Sequence, residues 1–166
     1  MQFEQFFSSA IEVAIATAGF SGIVVILGQR GQGMWNQADL ARVSLLLQAS
    51  FIAIFLSFLP LVLDGAGVST SMIWRVGSGC FIVYACIAIP LRRRAILRVR
   101  SEDPTYSARL LFVLLPVVLF LVGLQLYNIL ALGSGWPFVL TVVFEIGVAL
   151  LAFVRLLRML WERSAG

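Results

Sequence analysis

The chain has 166 residues, 61% of them apolar and 12% charged, with a formal net charge of +4 and a mean hydropathy of +1.02. A soluble domain is usually about half apolar and a quarter charged, so composition alone argues against a water-soluble globule. All twelve basic residues are arginine and histidine is absent; losing the usual Schiff-base nucleophile, metal ligand and proton shuttle disfavours an enzyme, a metal site and a cofactor site.

Apolar blocks recur along the chain: Gln5 to Leu27, Val43 to Leu63, Thr70 to Leu91, Ser107 to Leu132 and Pro137 to Leu160. Each is long enough to cross about 30 Å of hydrocarbon. They predict an all-α, polytopic membrane protein of five transmembrane helices, forming one domain over residues 1–166.

The first block reads as a retained span rather than a signal peptide, because nothing basic precedes it and Glu12 interrupts it. On a helical wheel Ala10, Ala14, Thr17, Ser21 and Gly28 share one face, while Ser8, Glu12, Ala16 and Gly19 share the opposite one. Small residues allow close helix approach in lipid. Two small faces place this helix between its own bundle and a second surface, either a pore, a cavity or another copy of the chain.

After Trp35, Asn36 is read as the cap of the second helix, with Asp39 and Arg42 in its first turns and Ser44 and Gln48 continuing one face. Pro60, Pro90 and Pro116 interrupt the second, third and fourth spans. Cys80 and Cys86 lie too far apart on one helix for a disulfide, at about 9 Å of rise, and read as packing residues. Beyond Pro90, Arg92, Arg93, Arg94, Arg98 and Arg100 predict a basic amphipathic extension. It fixes topology and offers a surface to anionic lipids at the cytoplasmic face. Trp35, Trp74, Trp136 and Trp161 stand near span ends as interfacial anchors do.

Arginine accumulates in the first loop, the third loop and the tail, and is missing from the Asp64–Gly67 and Gly133–Trp136 turns. The positive-inside rule then puts the N-terminus outside and the C-terminus inside, in a bacterial inner membrane. With direction set, helical rise brings Glu12, Arg75 and Glu145, with Gln125 and Asn128 of the fourth span, into one layer roughly 8 to 12 Å below the outer boundary. Ser71, Arg75, Ser78, Gly79 and Cys86 share a face of the third span, and Thr141, Glu145, Ala149 and Ala152 a face of the fifth. Pairing Arg75 with Glu145 leaves Glu12 as a second carboxylate that needs a proton or a cation.

The string Ala18-Gly19-Phe20-Ser21-Gly22-Ile23-Val24, followed by Gly28 and Arg30 and later by Trp74-Arg75, resembles the opening of small multi-pass bacterial inner-membrane proteins. The resemblance covers about the first half of the chain and implies a membrane location without an activity. A glutamate in the first span is similar, in that single respect, to the small multidrug resistance exporters; five spans and a strong arginine bias depart from that family.

Three functions follow as expectations. The first is a homo-oligomeric ion channel, its path lined by the first helix through Ser8, Glu12, Ala16 and Gly19, with the carboxylates favouring cations. The second is a small proton-coupled transporter, and the third an accessory subunit of a larger membrane complex. Nucleic-acid binding is disfavoured, because the arginines sit at span ends where topology explains them.

Overall fold

The computed structural model describes residues 3–32, 37–102 and 109–164; Trp35, Asn36 and Ser107 lie outside them, as do the side chains of Arg30, Asp39, Arg98 and Arg100. Every regular element among the described residues is helical: α1 (Glu4–Gln32), α2 (Gln37–Gly65), α3 (Thr70–Glu102), α4 (Arg109–Tyr127) and α5 (Gly135–Ser164). All five hold a segment long and apolar enough to cross a membrane, which fits a membrane-embedded protein.

The helices outrun their apolar blocks at the polar ends, since a continued helix satisfies its own backbone groups wherever the membrane boundary falls. Pro60, Pro90 and Pro116 all lie inside helices rather than ending them. The fourth span differs from the uninterrupted helix predicted for it. Its last turn, Asn128–Leu132, is a π turn closed by Gly133, whose left-handed backbone (φ 55°) lets its N–H bond the Asn128 carbonyl at 2.8 Å.

The helices run up and down. α2 packs on both α1 and α5, α3 packs on α2 and α4, and α4 rests chiefly on α3 and does not run along α2. α1 turns Phe7, Ala10, Ala14, Thr17 and Ser21 inward; all are buried. α2 answers with Ala49, Ser50, Ala53 and Ser57, and α5 with Ala149 and Ala152, likewise buried. Without a hydrophobic force between helices in lipid, close van der Waals approach of such small faces is what holds a bundle. Thr17 and Ser21 return their hydroxyl protons to the carbonyls of Val13 and Ala18 in the same helix.

One end of the bundle is aromatic. The rings of Phe7, Trp74 and Phe138 lie 6.1 Å apart, centroid to centroid, in each pairing, and Phe3 stands edge-on to Trp74 at 6.0 Å. They knot together the starts of α1, α3 and α5. The opposite end is basic, with Arg42 on α2, Arg92, Arg93 and Arg94 on α3, and Arg155 and Arg158 on α5.

Gly77 lies beneath the Phe138 ring, where an added Cβ would stand 2.8 Å from Cε2. That ring is fully buried between Phe7 and Trp74. Gly77→Val should therefore destabilise the purified protein by about 2 kcal/mol, the usual cost of overpacking a filled core. Tryptophan fluorescence during thermal unfolding in detergent checks this, with a midpoint several degrees below that of the parent chain expected.

Candidate functional site

Three polar features stand out. Gln125 and Asn128 face inward from α4 and the π turn, both with no exposed surface. Gln125 donates one amide proton to the Pro137 carbonyl and the other to Thr141 Oγ1, each at 2.7 Å, and accepts the Ser78 hydroxyl at 2.6 Å. Asn128 donates to Ser78 Oγ at 2.9 Å and to the Ser134 carbonyl at 3.0 Å, while its oxygen accepts the Ser134 N–H at 2.9 Å. Both amides are thus used at oxygen and nitrogen, and the network joins α3, α4 and α5 near the aromatic end. A network that uses both amides in this way specifies how helices meet.

Glu145 lies ten residues into α5, about 15 Å along the helix. It is 2% exposed, and its Oε2 has no hydrogen-bond partner among the described residues. It lines a cavity of about 550 Å³ that opens between α2 and α4 toward the basic end. The walls are mostly aromatic and aliphatic, with Phe51 and Phe55 from α2, Phe81 and Tyr84 from α3, and Val118 from α4. Ser44, Gln48 and Arg92 stand toward the basic end, where Gln48 bonds Ser44 at 3.0 Å. Arg92 donates an Nη2 proton to the Tyr84 hydroxyl at 2.6 Å and sits 5.8 Å from that ring's centre. Its buried Nε has no hydrogen-bond partner among the described residues.

Glu12 is exposed on the outward side of α1, together with Ser8, Ala16 and Gly19. An added Cβ on Gly19 meets nothing within 4 Å. The other small face, from Ala10 to Ser21, is the one α1 buries.

The residues that helical rise places in one layer do not all meet. Gln125 and Asn128 meet through Ser78, Glu145 opens on the cavity, and Glu12 and Arg75 are exposed. Among the described residues no ion pair joins Arg75 to Glu145 or Glu12. The reason is angular. Residues of α3 from Ile73 to Ala88 bury a face that includes Ser78 only at its edge, and Ser71, Arg75 and Cys86 fall outside it. Arg75 stands instead beside the Gly133 turn, its Nε 3.5 Å from where a Cβ on that glycine would lie. The shared face of Thr141, Glu145, Ala149 and Ala152 is buried throughout.

Sequence reasoning treats Arg92 as one of a basic run and passes over Tyr84. A tyrosine inside an apolar span, with an arginine two turns later on the same side, is the available signal. Of the basic cluster, Arg93 and Arg94 are exposed and Arg92 is half-buried. Cys80 is half-buried and Cys86 exposed, both as free thiols.

The chain matches no known protein-family model, no curated protein and no solved structure.

Replacing Asn128 by leucine strips partners from Ser78 and from both backbone groups of Ser134. Leaving buried polar groups unanswered costs about 1–3 kcal/mol, so Asn128→Leu should lower the unfolding midpoint clearly. Gln48→Leu, on an exposed position, should leave it within about 0.5 kcal/mol of the parent. Parallel detergent or urea titrations of the two variants make the comparison.

Proposed function

We propose that the chain is the subunit of a homo-oligomeric cation channel in a bacterial inner membrane, with α1 lining the path. The observation that carries this reading is the exposure of Glu12 on a stripe of small residues, about 12 Å along α1 from Glu4. A carboxylate facing hydrocarbon at such depth costs about 3 kcal/mol on insertion scales, and such groups normally face water or a partner. Ser8, Ala16 and Gly19 leave room for a neighbouring backbone at that surface.

Phe7, Trp74 and Phe138 pack together inside the aromatic end of one bundle, which favours a path between copies over one through a single bundle. A cyclic assembly places the Glu12 stripe of each copy toward a common axis, where a ring of carboxylates concentrates cations. The gathering of arginines at one end supports an orientation with that end in the cytoplasm and the N-terminus outside. Exposed Arg93 and Arg94 then meet anionic headgroups.

Flux from liposomes holding the purified chain, under potassium, sodium, proton and chloride gradients, tests the reading. Cation flux above that of empty liposomes is expected, with chloride excluded. Glu12→Gln should reduce the cation flux about tenfold or more or remove its selectivity. Gly19→Leu should lower the oligomer's mass in native mass spectrometry by blocking close approach. Flux that moves only against an opposing proton gradient marks a coupled transporter instead, and no flux for any ion overturns both.

A further inference from the structure

The cavity beneath Glu145 stands apart from the proposed conduction path, since among the described residues its lining comes from α2, α3, α4 and α5. We infer that it is a binding site for a lipophilic cation, an ammonium or phosphonium centre on an apolar body, entering sideways from the basic half of the bundle with Glu145 as its counter-charge.

The observations are independent of the channel reading. A cavity of about 550 Å³ lies within the usual range for sites that enclose a small organic molecule. Its lateral opening follows from the packing: α4 leans on α3, so a cleft remains between α2 and α4, edged on the α2 side by exposed Phe51 and Phe55. A solute dissolved in the membrane reaches it without crossing water.

Inside, the unpartnered carboxylate oxygen is 15 Å or so from the end of its helix, in a medium that supplies no hydrogen bonds. Among the described residues Arg92 is the one cationic side chain on the lining. Its Nη2 proton goes to Tyr84, and although its charge acts on Glu145 across the cavity, no hydrogen bond reaches the Oε2 of that carboxylate among the described residues. Phe81 and Tyr84, whose ring centres lie 6.3 Å apart, and the two phenylalanines of α2 add π faces, and such rings attract a desolvated cation.

Equilibrium binding of tetraphenylphosphonium to the full chain in phosphatidylglycerol nanodiscs tests the site. Saturable binding of one probe per chain is expected. Glu145→Gln, of nearly the same volume, should weaken it about tenfold or more. Asp64→Asn, a carboxylate at the far end of α2, should leave it unchanged. Ala88→Phe fills the cavity without touching the charge and should abolish binding, which keeps the site testable even if Glu145→Gln fails to fold. Competition by added phosphatidylethanolamine identifies a lipid amine as the natural occupant, and lack of competition identifies a free amphiphile; both outcomes uphold the cation site. Equal affinity in folded Glu145→Gln, binding that survives Ala88→Phe, or binding of oleate in place of the cation overturns it.

Discussion

A medium that offers no hydrogen bonds obliges every buried polar group to find its partner inside the protein. Asn128 and Gln125 meet that obligation for themselves and for Ser78 at the aromatic half of this bundle. Their amides take up the Ser78 and Thr141 hydroxyls and the main chain at Pro137 and Ser134. The π turn belongs to the same solution: the Asn128 side chain seizes both backbone groups of Ser134 while its carbonyl holds Gly133. The sharp return into α5, and so the depth at which Glu145 lies, depends on it.

Two carboxylates stand outside that network of partners, in opposite ways. Glu145 is enclosed with its Oε2 unpartnered among the described residues, on the wall of a cavity; Glu12 is exposed on the outward face of α1. Where local rules are broken in an otherwise consistent structure, function is the usual reason. The two positions point to different tasks. An uncovered charge on a small-residue stripe suits a surface shared with another copy, and an enclosed one behind aromatic walls suits a ligand.

The five helices, their order and most of their bounds were legible in the sequence, because block length and breaker residues depend only on local composition. The two small faces of α1 were also legible, since helical periodicity sorts small residues onto faces. Gln125 and Asn128 both reach Ser78, while Arg75 is exposed; rise along a helix carries no information about rotation around it. The α3 face that turns inward is set by Phe81, Ile73 and Trp74, whose bulk fills the core, and Arg75 is carried outward with the remainder.

From the sequence alone come the membrane class, the number of helices and the clustering of arginines near span ends, properties fixed by composition and spacing within each segment. Tertiary structure decided which of two small faces α1 buries, where the buried amides find partners, and that α4 leans away from α2 to leave a cavity at Glu145. Those outcomes depend on the shapes of surfaces from distant segments meeting in three dimensions, and no single helix encodes its neighbour's shape.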